Sequence, residues 1–281
     1  MDAIDELLHR VVSLPPAPKL LPQMLAALSD LDADTSRVVE LITFDPALTA
    51  RVLQVCNSAY YALPTRVSTV SDAVNRLGFH GIYAIVAMAS SEDFLKAGKH
   101  SALDPNAMWR HLVASALAGQ FLGKRVGVDG NLLFTTALLH DIGKVPLADV
   151  LQGDYDALIT DGNLFGRALV ELETASFGLN HAEVGARLLE NWSFAPEFVE
   201  AVRFHHDSTS AGDAAAQAAC VELADLLAHS LDAPDAENPF AEMETESALA
   251  VVGLSLEDLL RQRTLLQGKQ EVIDGMCGTA K

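Results

Sequence analysis

Between residues 111 and 225, five histidines and two aspartates are set into apolar, helix-forming sequence. They are His111 in "MWRHLVASALAG", His140 and Asp141 in "TALLHDIGKV", His181 in "NHAEVGARLL", His205 and His206 in "VRFHHD", and Asp225 in "CVELADLLAH". A carboxylate on a buried helical face is costly unless something positive neutralises it, and a metal ion is an efficient neutraliser. Imidazole together with carboxylate suits a first-row transition metal better than calcium or magnesium alone. Adjacent residues on a helix point about 100° apart, so His140 and Asp141 share an ion only if it sits between their directions. The second oxygen of Asp141 is then left for another ion. Lys144, four residues beyond His140, is expected on the same helical face, to hold a substrate phosphate or to pair with a carboxylate. Each residue also has an ordinary reading. His205 and His206 precede Asp207 near a helix C-terminus, where the dipole favours imidazolium. His181 follows Asn180 as a first-turn residue, and Asp225 has Leu223, Ala224, Leu226 and Leu227 around it, leaving only a narrow polar face. His9, His80, His100 and His229 are read as lying outside any site, with His80 in a loop after Gly78.

The elements that must position these groups are expected to be helices. Half of the chain is hydrophobic and only 6% aromatic, a composition that suits close helix packing better than a sandwich of short strands. An all-α fold follows. At 281 residues there is enough chain for one large domain or two modest ones. A formal charge of −19 repels phosphate backbones and anionic membrane surfaces, which excludes direct nucleic-acid binding. Cys56, Cys220 and Cys277 are few, odd in number and far apart, so neither a disulfide framework nor a cysteine metal site is indicated. The start "MDAIDELLHR" lacks the basic opening of a signal peptide. The longest apolar run, "GIYAIVAMAS", is about half of the roughly 20 residues that span a membrane. A cytoplasmic protein without membrane segments is expected.

Punctuation places the helices. Pro15, Pro16 and Pro18 hold an extended entry before a helix from about Leu20. Asp34 and Thr35 are candidate caps, and Asp45-Pro46 is a stop and restart with Pro46 at a first helical position. Gly78 is a C-cap between two helices. Trp109, Leu112, Val113, Ala116 and Leu117 mark one face of a longer helix. The next helix carries "TALLHDIGKV", Asn180 caps another, and Pro196 opens the one after. "APDAENPFAEMETE" reads as an acidic loop, followed by one amphipathic helix and a frayed end.

Four stretches together resemble the HDOD family, a bacterial regulatory branch of the HD metal-dependent phosphohydrolase superfamily. They are "FDPALTARVLQVCNSAYYALPTRVSTVSDAVNRLGFHGI", "MWRHLVASALAG", "ALLHDIGKVPL" and "NHAEVGARLLENWSFAPEFVEAVRFHHD". The resemblance covers roughly residues 11–230. It implies an N-terminal helical half over 1–100 packed on an HD-type metal-binding half over 101–235, followed by an acidic loop, a helix and a tail over 236–281. By similarity to active HD phosphohydrolases, His111 matches the first histidine, His140-Asp141 the defining pair and Asp225 the distal aspartate. His181, His205 and His206 match further ligands of the two-metal phosphodiesterase branch. The implied centre has His111, His140, Asp141 and Asp225 on one ion, and His181, His205 and His206 on a second. Asp141 bridges them, and iron or manganese suits the donors. If the site is enzymatic, Asp141 and Lys144 are its catalytic residues, Lys144 steadying a phosphate. That branch's Gly-Tyr-Pro substrate loop is absent, since after His181 the chain runs straight into "AEVGARLLENW". Ala107 stands where some members have a glutamate, which argues against a third metal. The resemblance therefore implies a regulatory signalling module acting on protein partners. The alternatives are a metal-dependent phosphodiesterase taking a nucleotide ligand, and a vestigial scaffold without metal.

Overall fold

Local capping chemistry sets most helix boundaries in the computed structural model. The structure describes residues 35–58, 61, 63–97, 103–160, 165–232, 236, 238–241 and 244–277. The entry prolines, the helix from Leu20, His9, His100 and Asp34 lie outside the described residues. No strand occurs among the described residues. Helices α1 (Thr35–Thr43) and α2 (Pro46–Cys56) are separated at Asp45, whose carboxylate accepts from the Leu48 amide at 3.1 Å. Helix α3 (Val70–Ala97) opens at Thr69, whose hydroxyl accepts from the Asp72 amide. The helix is broken only at Gly78, with φ 68° and ψ 176°, a backbone that favours glycine. One residue absorbs the whole break, so residue 80 is helical rather than in the expected loop.

Helices α4 (Pro105–Val126) and α5 (Gly130–Leu139) begin at Asp104 and Asp129, each accepting from a backbone amide two residues on. Trp109, Leu112, Val113, Ala116 and Leu117 are buried on α4. The two helices approach closely because Gly119 and Gly123 face α5. A Cβ at Gly119 would stand 2.9 Å from the Leu133 carbonyl. Helix α11 (Ala215–His229), buried without interruption from Ala218 to Ala228, packs against α4. These three helices form the trunk.

"TALLHDIGKV" is not one helix. α5 ends at Leu139, residues 140–143 form a turn, and α6 (Lys144–Leu151) starts afresh, followed by α7 (Gly153–Thr160). Lys144 therefore does not sit one turn above His140 on a shared helix. Two causes act. A continuous helix would place Pro146 in its interior, where it lacks an amide and clashes with the preceding turn; as built, Pro146 lies in the first turn of α6. Gly143 meets α9 (His181–Asn191) with no space between them: a Cβ there would fall 2.0 Å from the His181 carbonyl and 2.5 Å from the Gly185 nitrogen. Helix α8 (Gly166–Phe177) ends at left-handed Gly178, Asn180 caps α9 by accepting from the Glu183 amide, and α10 (Pro196–Arg203) opens on its proline.

The C-terminal region is more ordered than the single helix and frayed end expected from sequence. It forms α12 (Glu246–Val252), α13 (Leu256–Gln267) and α14 (Gln270–Cys277). Ser255 and Asp258 make a capping box on α13. On α14, Ile273 and Met276 are buried, and Asp274 and Gln270 receive the Arg110 guanidinium from α4.

Gly143→Ala is expected to destabilise the protein by about 1–3 kcal/mol, the usual cost of overpacking, read by urea denaturation. Gly153→Ala, with nothing within 4 Å of the added carbon, should stay within about 0.5 kcal/mol.

Candidate metal centre

The breaks in these helices converge on one point. The turn after α5 supplies His140 and Asp141, the first residue of α9 supplies His181, and the turn after α10 supplies His205 and His206. His111 comes from α4 and Asp225 from α11. All seven residues singled out in the sequence meet in this cluster, and Lys144 joins it through Asp141.

Asp141 divides the cluster. Its Oδ1 lies 3.3 Å from His181 Nε2 and 3.8 Å from His205 Nε2. Its Oδ2 lies 3.4 Å from His140 Nε2, 3.9 Å from His111 Nε2 and 2.6 Å from Lys144 Nζ. Three overlapping groups result. Asp141, His181, His205 and His206 form a fully buried inner set. His111, His140 and Asp141 adjoin it, and His111, Asp225 and His229 lie outermost. Within each group, one ligand atom per residue falls within 4.8 Å of the others.

Hydrogen bonds fix the imidazoles for ligation. His140 Nδ1 meets the Ala137 carbonyl at 2.6 Å, His205 Nδ1 meets the Val202 carbonyl at 2.6 Å, and His181 Nδ1 meets Glu173 Oε2 at 2.6 Å. Carbonyl and carboxylate oxygens only accept, so each Nδ1 carries a proton and Nε2 is the nitrogen left to ligate; His181 Nε2 stands 3.0 Å from His206 Nε2. Glu173 also accepts from the His181 amide at 2.9 Å and the Tyr155 hydroxyl at 2.6 Å. Four atoms aimed at the cluster, His140 Nε2, His205 Nε2, Asp141 Oδ1 and Asp225 Oδ1, are buried without a hydrogen-bond partner. Buried polar atoms are nearly always paired. Four lone-pair carriers converging in one place fit a cation.

Electrostatics agrees. Burial works against the Asp141 carboxylate, but the Lys144 ammonium and His140 outweigh it and hold its pKa well below the ordinary value. Asp225 is likewise held well below the ordinary value against burial, by His229, His111 and His140. Burial pushes His205 down to about 4 and His206 well below its usual range, keeping both neutral, as ligation requires. At His140 burial again lowers the pKa, but Asp141 and Asp225 overcome it and the net shift is upward. The pull on a proton there is the pull a metal ion would meet. The donors, their protonation and their fixed ring orientations thus suit a first-row divalent ion.

Two participants escape the sequence reading. His229, set aside there, lies 3.4 Å from Asp225 Oδ1; its position four residues after Asp225 on one helix was the available signal. Glu173 looks like a surface acid of α8 until the fold buries it completely. Nothing local in the sequence marks it.

If Glu173 orients His181, Glu173→Gln should weaken divalent-metal binding about 10–100-fold, the usual effect of removing an outer partner, with the helical circular-dichroism spectrum unchanged. Asp141→Asn should lower the metal content of protein purified without chelator more than any single histidine variant, as measured by elemental analysis.

Residues 14–208 match the HDOD domain family. The fold superposes on an HDOD domain protein of Geobacter sulfurreducens with a TM-score of 0.81 at 23% identity, covering 99% of this chain and 96% of that one. A Shewanella amazonensis SB2B protein named as a phosphohydrolase gives 0.77 at 25% identity, covering 98% of each chain. A Marinobacter aquaeolei VT8 protein named for signal transduction gives 0.76 at 22% identity, covering 99% of this chain and 66% of that one. The chain spans about a third of the length of the curated relatives it matches. No helix among the described residues is long and apolar enough to cross a membrane. With the family matched across most of its length and the helical fold shared end to end, this chain belongs to the HDOD domain family.

Proposed function

We propose that this chain is a cytoplasmic regulatory module of bacterial signal transduction, built around a dinuclear iron or manganese centre and acting through protein partners. The inner ion takes Asp141, His181, His205 and His206, and the outer ion lies on the side of His111 and Asp225. The observation that carries regulation over catalysis is the state of Lys144. Its ammonium, the cation best placed to receive a phosphate, is paired with Asp141 Oδ2 at 2.6 Å and largely buried. The inner ligands are sealed as well, His181 and His205 being 0% exposed. After His181 the chain passes directly into α9, leaving no Gly-Tyr-Pro loop to receive a cyclic dinucleotide. The acidic surface opposes anionic substrates. In this reading the ions tie the trunk helices to the turns that follow α5 and α10, and metal occupancy is coupled to the packing of the module.

The phosphohydrolase reading keeps one specific support, the two-sided Asp141. When bound, a pair of divalent ions lowers the pKa of a coordinated water and clamps a phosphoester. Asp141 would orient both sides of the centre, and Lys144 would have to leave Asp141 to steady the phosphate.

One measurement separates the readings, and a second tests the metal coupling that both require. Manganese- or iron-loaded protein should turn over bis(p-nitrophenyl) phosphate and cyclic dinucleotides no faster than Asp141→Asn; metal-dependent turnover abolished by that substitution would establish the enzyme instead. Manganese at a hundred times its Kd should stabilise the wild type by about 2.7 kcal/mol, seen as a raised Tm. No shift would remove the coupling on which regulation depends.

A further inference from the structure

Asp225 Oδ1 is surrounded by imidazole nitrogen: His111 Nε2 at 3.0 Å, His229 Nε2 at 3.4 Å and His140 Nε2 at 3.5 Å. It nevertheless accepts no hydrogen bond. Counting donors exposes an imbalance between the two proposed ions. The inner one has four residues, each giving one atom within 4.8 Å of the others. The outer one has His111, His140 and Asp225, because the Asp141 oxygen on its side is engaged by Lys144. His229 corrects the shortfall. It stands four residues after Asp225 on α11, so one helix face sets the spacing of the two groups. Its ring neighbours His111, tilted with centroids 4.5 Å apart, and Phe165, stacked at 4.4 Å and 27°. These contacts limit ring rotation, and Nε2 stands 3.4 Å from Asp225 Oδ1. The His111 and His229 side chains are 17% and 23% exposed, so this end of the centre is the one that solvent reaches.

We propose that His229 is a direct ligand of the outer ion, together with His111 and Asp225, the three residues whose ligand atoms lie within 4.8 Å of one another, with His140 3.5 Å from the Asp225 oxygen. The assignment rests on the two-ion reading above and adds a residue that neither the family resemblance nor the matched span, which ends at 208, supplies. It gives the outer ion a donor set independent of the inner carboxylate. Its position near solvent makes it the exchangeable ion and the one that an incoming phosphate or carboxylate oxygen would meet first.

The test is titration of metal-free full-length protein with Mn(II), free ion being followed by electron paramagnetic resonance, for the wild type, His229→Ala, His229→Gln and Phe165→Leu. Expected are two equivalents in the wild type. In both His229 variants the tighter equivalent should be unchanged and the weaker one lost or reduced at least about tenfold, a step no smaller than that for an outer-sphere partner. Phe165→Leu should retain both equivalents with a smaller loss. Pulsed measurements on the outer Mn(II) should show one fewer nitrogen coupling in His229→Gln. If His229→Ala binds both equivalents with wild-type affinity, or if glutamine, which keeps a hydrogen bond to Asp225, restores them, His229 is not a ligand while the two-ion reading stands. A wild type that takes up fewer than two equivalents overturns the two-ion reading and this assignment with it.

Discussion

A carboxylate buried between two sets of imidazoles is the constraint on which this structure turns. Asp141 is 2% exposed and faces His181 and His205 with one oxygen, and His140, His111 and Lys144 with the other. An ionised carboxylate withdrawn from water is tolerated only where positive charge meets it. Lys144 meets one side. The other side faces His181 and His205, and Oδ1 there accepts no hydrogen bond. That imbalance of charge makes a metal ion the natural completion of the fold.

Much of the architecture serves to deliver groups to this point. Each helix that contributes at or near a terminus does so where its backbone is already interrupted, as at the turns after α5 and α10 and the capped start of α9. The central helices α4 and α11 deliver His111 and Asp225 from within a regular helix, and can do so because small residues let the trunk close tightly. Gly143 then fixes how near the His140-Asp141 turn comes to His181. A side chain there would separate the two halves of the centre by the width of a methyl group. Behind the cluster, Glu173 holds the His181 ring and Tyr155 holds Glu173, so the site is preorganised by residues outside it.

The sequence made the clustered residues legible for a simple reason: histidine and aspartate in apolar helical surroundings are conspicuous, and their ordered spacing matches a family pattern. Helix starts were equally legible at Pro46, Asn180 and Pro196, where capping chemistry is local. What was not legible depends on contacts distant in the chain. The break inside "TALLHDIGKV" is hinted at by Pro146, but its sharpness comes from α9 pressing on Gly143. His229 reads as an ordinary residue at a helix end until α4 brings His111 beside it. Glu173 becomes structural only when α8 packs its acid against His181. The C-terminal helices look loose because their apolar residues are sparse, yet Ile273 and Met276 are enough once Arg110 anchors α14.

The central claim is that this cluster is a metal centre rather than a buried polar network sustained by Lys144 alone. Anomalous diffraction at the iron and manganese edges, from crystals of protein purified without chelator, addresses it most directly. The account predicts one anomalous peak enclosed by Asp141, His181, His205 and His206, and a second beside His111 and Asp225. Well-ordered ligands with no anomalous density at either place would contradict it.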